Sequence, residues 1–212
     1  MLEVQDFIFL IMNCRKYEKK AAHQKKTWLP LLPSFLPYYH VIGDPDLKTD
    51  FEYDDINRVL TVKSKDDYNS LPQKVIKAYE AVAQRFKFKY IFKTDDDQMV
   101  KHPECFEHIK NVILSKKSHY GGFIIDVKTP HISKYNLIHP ELPSDLAILP
   151  TKYCSGRFYF LSEEAVKYLI ERSVLFHNEH LEDYAVGFHL KKSLKESILF
   201  IDTNRIFKDF VL

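Results

Sequence analysis

Two hydrophobic rhythms alternate along the first half of the chain. Asp6-Phe-Ile-Phe-Leu-Ile-Met12 is short, apolar and ends on polar Asn13, the pattern of a strand covered on both faces. A basic, helix-compatible stretch follows from Arg15 to Trp28 and is closed by Leu29-Pro30. Tyr38 to Ile42, stopped by Gly43-Asp44-Pro45, and Arg58 to Val62 predict two further strands. Ser70-Leu-Pro72 then suits a helix start, with Ser70 placed to cap and Pro72 tolerated in the first turn. Val75, Ala78, Tyr79, Val82 and Phe86 recur at helical spacing, giving one apolar stripe to about Arg85. Tyr90-Ile-Phe-Lys93 returns to a buried strand and runs directly into Thr94-Asp95-Asp96-Asp97.

The second half is less regular. Pro103 to Leu114 reads as a helix, Gly121-Gly122-Phe123 as entry to a strand, and Tyr153 to Leu161 as another strand. Lys128 to Leu149, rich in proline and histidine without periodicity, reads as a long functional loop. Ser162 is placed to cap a helix whose first turn carries Glu163 and Glu164, which suit the helix dipole. A helix over Asp183 to Leu194 and a strand over Ile198 to Ile201 complete the pattern. Strands and helices in alternation predict an α/β fold, a mostly parallel central sheet flanked by helices.

Composition narrows the class. The 212 residues, 45% hydrophobic, supply one sizeable core, and a single domain over 1–212 is expected. Sixteen phenylalanines and thirteen tyrosines are a generous aromatic supply for a core and for binding sugar or base faces. A net charge of +2 excludes nucleic acid as the main partner. Cys14, Cys105 and Cys154 are odd in number, widely spaced and form no CxxC pair, which predicts a reducing, cytoplasmic setting. The longest early apolar run, Phe7 to Met12, is too short to span a bilayer.

The acidic triplet carries the chemistry. Three consecutive carboxylates at a strand end repel one another, so folding alone gives no reason for them. Ligands of open α/β sheets bind at the carboxyl ends of strands, where Asp95 to Asp97 fall. A hard divalent cation would relieve the repulsion and neutralise a nucleotide-sugar diphosphate. The plain alternative is a solvated acidic turn. A calcium-binding EF-hand loop is excluded, because the sixth and twelfth positions from Asp95 are Val100 and Phe106.

Five further segments extend the pattern. Phe92-Lys-Thr-Asp-Asp-Asp97 resembles the strand and metal motif of family 31 glycosyltransferases, the β-1,3-galactosyltransferase and Fringe group. Thr27-Trp28, Asp67-Tyr68-Asn-Ser-Leu71-Pro-Gln-Lys74, Tyr120-Gly-Gly122, Tyr153-Cys-Ser-Gly156 with Leu161-Ser162, and Glu182-Asp183-Tyr-Ala-Val-Gly187 resemble that family's other segments in the same order. The resemblance implies a GT-A fold, a UDP-sugar donor, Mn²⁺ (or Mg²⁺) and a glycan or glycoprotein acceptor. By position it implies that Asp95 meets the donor ribose, that Asp97 holds the metal and that Asp183 is the general base. Asp96, Asn13, Arg15, Lys74 and Gly156 complete the expected donor-binding set. The family's metal-binding histidine has no counterpart, since none follows His189; Asp209 is expected to complete the metal shell instead.

Each candidate has a bland alternative. Glu182-Asp183 could simply cap a helix, and Gly156 could mark a bend. Cys154 reads as a small buried hydrophobe, and the histidines lack zinc-site spacing. The cluster Arg15, Lys16, Lys19, Lys20, Lys25 and Lys26 is a solvated helix face or an aid to the donor phosphates. Rival activities are a metal-dependent nucleotidyltransferase or sugar-nucleotide hydrolase, and a non-catalytic glycan-binding domain.

Overall fold

Phe7–Met12 (β2) is buried at all six positions because it lies in the middle of a sheet with other elements on both faces. The computed structural model describes residues 2–210. A short strand, Glu3–Val4 (β1), precedes β2; helix α1 (Glu18–Lys26), β3 (Tyr38–Gly43), β4 (Phe51–Asp54), β5 (Val59–Val62) and α2 (Leu71–Arg85) follow. Next come β6 (Phe86–Lys87), β7 (Tyr90–Asp95), β8 (Gln98–Val100), α3 (Cys105–Lys116), β9 (Tyr120–Val127), β10 (His131–Ile132), β11 (Ala147–Ile148) and β12 (Thr151–Ser162). The series ends with α4 (Glu163–Ile170), α5 (Glu182–His189), α6 (Lys192–Lys195), β13 (Leu199–Phe200), α7 (Thr203–Ile206) and β14 (Phe207–Asp209).

The eight-stranded sheet runs β13-β9-β12-β7-β2-β3-β5-β4. The contiguous block β7, β2, β3 and β5 is parallel, and β13 is parallel to β9; β12 runs antiparallel to both its neighbours, as does β4 to β5. The sheet is thus mixed, its parallel block being the part that the alternating strand-helix pattern describes. Two apolar layers cover its faces. One joins Ile8, Leu10 and Ile91 to Val75, Tyr79 and Val82 of α2 and to Val166 and Leu169 of α4. The other joins Phe7, Phe9 and Ile11 to Trp28, Phe92, Phe106 of α3, Phe158 and Phe207. Alternate β2 residues therefore serve opposite faces, as the two-residue period of a strand requires.

Local chemistry sets the ends of the elements. Ser162 caps α4, its side-chain oxygen accepting from the Ala165 amide at 3.2 Å. Ser70 does not cap α2; Asp67 instead accepts from the Ser70 amide at 2.8 Å, so the turn before the helix is held by the earlier residue. Segment 128–149 contains a small β10–β11 ribbon and one helical turn at Tyr135–Leu137. No helix among the described residues is long and apolar enough to cross a membrane.

Candidate active site

The carboxyl ends of β2 and β7 open onto a cavity of about 580 Å³. Asn13 follows β2, Asp95 ends β7 with Asp96 and Asp97 in the turn after it, Lys74 comes from α2, Gly156 from β12, and Glu182 and Asp183 from the first turn of α5. Eight carboxylates (Asp66, Asp67, Asp95, Asp96, Asp97, Glu141, Glu182, Asp183) against three lysines (Lys16, Lys20, Lys74) line it, a formal excess of five negative charges.

The three aspartates of the turn are held differently. Asp95 Oδ1 lies 2.7 Å from Lys93 Nζ, and Asp96 Oδ1 lies 3.1 Å from Lys20 Nζ. Burial pushes both carboxyls up to about 6 against the pull of those lysines. Asp97 forms no ion pair among the described residues; its Oδ1 accepts from Gln98 Nε2 at 2.9 Å. Gln24 of α1 braces the turn from behind, donating to the carbonyls of Asp96 at 3.0 Å and Gln98 at 2.9 Å. With its amide nitrogen so committed, Gln24 must offer Oε1 to His40 Nε2, 2.8 Å away, which assigns the proton to that ring nitrogen. His40 is buried and its pKa is pushed down to about 3, so it holds the turn as a neutral group.

Glu182 and Asp183 diverge in their surroundings. Glu182 Oε2 pairs with Lys93 Nζ at 2.8 Å, while Oε1 accepts from Tyr159 Oη, which itself meets Tyr79 Oη at 2.6 Å. Among the described residues, Asp183 accepts only from backbone: Gly156 N–H on Oδ2 at 2.9 Å and Tyr184 N–H on Oδ1 at 2.8 Å. Burial raises the Asp183 carboxyl above the usual range, with Lys93 pulling the other way. Gly156 sits between the two ends of the site. A Cβ there would lie 3.3 Å from Asp95 Oδ2 and 3.6 Å from Asp183 Cβ, so the glycine keeps the gap between these carboxylates open.

Asn13, Lys74, Asp95, Asp96, Asp97, Gly156 and Asp183 all line the one cavity. Lys74 donates to the Asn13 carbonyl at 2.6 Å and to Asp66 Oδ1 at 3.0 Å; Asp66 also accepts from the amides of Gly43 and Arg15. Arg15 does not line the cavity: its guanidinium turns outward to Asp44 at 2.7 Å, and Lys16 and Lys20 are the members of the basic cluster that reach the site. Asp209 also lies outside the lining. Its Oδ1 accepts from Gln98 Nε2 at 3.0 Å and Arg157 Nη2 at 2.7 Å, which puts the Gln98 amide between Asp209 and Asp97. Cys154 is buried, and burial pushes its thiol up to about 12, far from a nucleophile's range.

Among the described residues, no group of three or more His, Cys, Asp or Glu side chains is arranged to hold a metal ion. The oxygen donors present nevertheless suit Mg²⁺ or Mn²⁺, which commonly take one or two carboxylates and complete their shell with waters and substrate phosphates. Within the acidic turn Asp97 is the carboxylate with no cation partner among the described residues, a state that Asp67 and Asp183 share elsewhere in the cavity, and it is the one of the three that the sequence resemblance assigns to a metal. Sequence reasoning missed Lys93, Gln24 and Asp66 as site-building residues, and Tyr68 and His139, whose rings stack at 3.9 Å at the cavity wall. For Lys93 a signal existed: a lysine within an apolar central strand must be paired.

The fold matches a solved glycosyltransferase involved in the glycosylation of the major capsid of PBCV-1, with a TM-score of 0.52 over 93% of this chain and 81% of that one, at 13% identity. Among curated proteins, the UDP-GalNAc:beta-1,3-N-acetylgalactosaminyltransferase 2 of Xenopus tropicalis is 24% identical over 130 residues. The hydroxyproline O-galactosyltransferase GALT5 of Arabidopsis thaliana is 25% identical over 127 residues. Those matches cover 61% and 60% of this chain but only 26% and 18% of the relatives' own length. The sequence profile of the Galactosyltransferase family matches residues 44–195, a span that takes in the acidic turn, Gly156 and Asp183; the chain belongs to that family.

Proposed function

We propose that this chain transfers a hexose or deoxyhexose from a UDP-sugar to a glycan hydroxyl, with a divalent cation on the donor diphosphate. One observation carries the reading: an unpaired carboxylate, Asp97, and a backbone-held carboxylate, Asp183, share a cavity whose charge is strongly negative. An anionic donor meets like charge in such a cavity unless a cation accompanies it. Bound Mn²⁺ or Mg²⁺ would be held by Asp97 and would supply charge to the departing diphosphate. The name of the Xenopus relative, a UDP-GalNAc transferase, supports the nucleotide.

The chain's own groups do the rest. Asn13 and Lys74 form the floor beneath the carboxyl end of β2. Lys20, already drawn to Asp96, adds positive charge on the diphosphate side. Asp183 takes the proton from the acceptor hydroxyl; the amides of Gly156 and Tyr184 orient its carboxylate, and burial brings its pKa nearer to that of a working base. Tyr135 and His139 wall the side of the cavity formed by segment 128–149, where the acceptor enters.

Melting measured with UDP, GDP and CMP, each with Mn²⁺ or EDTA, tests the donor site. UDP at about 100 times its dissociation constant adds roughly 2.7 kcal/mol, which raises melting by about 5–11 °C for a domain of this size. Asp97→Asn should lose most of that shift while folding normally. An equal shift in EDTA, or an unchanged shift in Asp97→Asn, refutes the cation-dependent reading. Release of UDP only when an acceptor glycan is present separates transfer from hydrolysis and from simple glycan binding.

A further inference from the structure

Lys93 has no part in the transfer step, yet its ammonium is fully buried where three elements meet. Nζ lies 2.7 Å from Asp95 Oδ1 at the end of β7, 2.8 Å from Glu182 Oε2 on α5, and 3.0 Å from the Gly156 carbonyl on β12. An ammonium has three protons, and three acceptors are present.

Each acceptor adjoins a group on which transfer depends. With Asp95 Oδ1 on Lys93, the other oxygen, Oδ2, faces the space beside Gly156. The Gly156 peptide joins Lys93 to Asp183, accepting from Nζ through its carbonyl and donating to Asp183 Oδ2 through its amide. Glu182 immediately precedes Asp183 in the first turn of α5, and its remaining oxygen is fixed by Tyr159. Stability gives no reason for this arrangement. Taking a cation out of water costs several kcal/mol, and buried ion pairs replaced by apolar residues are often neutral or more stable. The part of the strand before it, Tyr90-Ile-Phe92, is aromatic and aliphatic and would accept an apolar neighbour.

Building on the transfer reading above, we propose that Lys93 is a positioning residue that sets the separation and orientation of Asp95 and Asp183 by tying β7, β12 and the first turn of α5 to one ammonium. The neighbouring Glu182 is then an anchor for the base and not a second base.

The test uses Lys93→Met and the double variant Lys93→Met/Glu182→Gln, the latter removing the carboxylate that the single change leaves unpaired. For both, kcat, donor KM and the UDP–Mn²⁺ melting shift are measured beside wild type. A displacement of about 1 Å between reacting groups lowers kcat by about 10²-fold, which is the expected loss; donor KM rises less than kcat falls, because Asp95 loses its anchor, and part of the melting shift remains, because Asp97 is not tied to Lys93. The acid limb of the kcat profile should also move to higher pH, because the cation that holds down the Asp183 carboxyl is gone. A merely structural lysine would lower the folded fraction without moving that limb. If the single variant fails to fold, the double variant decides: kcat within about threefold of wild type, per folded molecule, overturns the positioning role. Transfer by wild type and variant alike overturns only this inference, whereas absence of transfer by wild type overturns the function reading and this inference together.

Discussion

Adjacent carboxylates 182 and 183 divide the labour of the site by their partners. Both oxygens of Glu182 are taken, by Lys93 and by Tyr159, whereas those of Asp183 accept only from backbone amides and face the cavity. Asp183→Asn keeps the shape and removes the proposed base; kcat should fall by roughly 10²–10⁴-fold with UDP binding intact. Transfer near the wild-type rate in that variant would assign the base elsewhere. Asp183 was legible in the sequence because a short motif surrounds it. Lys93 could be read as a lysine in need of a partner, but its tie to Glu182, 89 residues on, and the tie of Gln24 to the acidic turn, 72 residues on, are made only by the fold. Arg15 misled for a related reason. Its position after β2 is right, and its backbone amide does reach Asp66, but its side chain takes the nearer Asp44.

Helix α5 carries Asp183, the proposed base, so its seat on β12 matters. A Cβ at Gly187 would stand 2.2 Å from Tyr153 Cβ and 2.7 Å from Tyr153 Cα, so the backbone of one element would have to move. Alanine is favoured over glycine inside a helix by about 1 kcal/mol, but overpacking at this contact costs about 1–3 kcal/mol or more. Gly187→Ala should therefore lower the melting temperature by several degrees; an unchanged or higher value would mean that α5 is not clamped to β12. The sequence showed this helix and most of the strands because their apolar periods are clear. It did not show β4, Phe51–Asp54, whose alternating half-buried and exposed positions on the sheet edge leave little apolar signal. The predicted helix over Asp183 to Leu194 divides into α5 and α6, with Leu190 in an extended conformation between them.

Charge balance belongs to the whole molecule. Asp95 and Asp96, lifted by burial to about 6 from 3.8, hold protons in the folded state that the unfolded chain has already lost. Between about pH 4 and 6 the folded state thus binds more protons at these groups, and their contribution to stability falls as pH rises. Buried His40 acts in the opposite sense: from 6.5 down to about 3 the unfolded chain takes up a proton that the folded state refuses, so stability is lost as pH falls through that window. A cation isolates the carboxylate part, because it needs ionised oxygens. Mn²⁺ should raise melting more at about pH 7.5 than at about pH 5, where protons on Asp95 and Asp96 weaken the field that draws a cation to the turn, and an equal effect at both values would mean that these two carboxylates do not help to draw the ion. The acidic turn was visible in the sequence as chemistry, but its net field was not, since the eight carboxylates come from four separate segments.

One backing contact of that turn has a consequence for how the protein is made. Strand β14 pairs with β8, Phe210 N–H donates to the Asp97 carbonyl at 2.7 Å, and Gln98 reaches Asp209 across 111 residues of chain. At roughly 5–20 residues per second of synthesis, the donor motif waits on the order of 5–20 s for the strand that supports it. A ribosome-bound chain that already contains Asp95 to Asp97 and Asp183 therefore has the proposed reacting carboxylates but lacks the brace behind Asp97. The support of the acidic turn thus arrives late and at once, when residues 207–210 emerge.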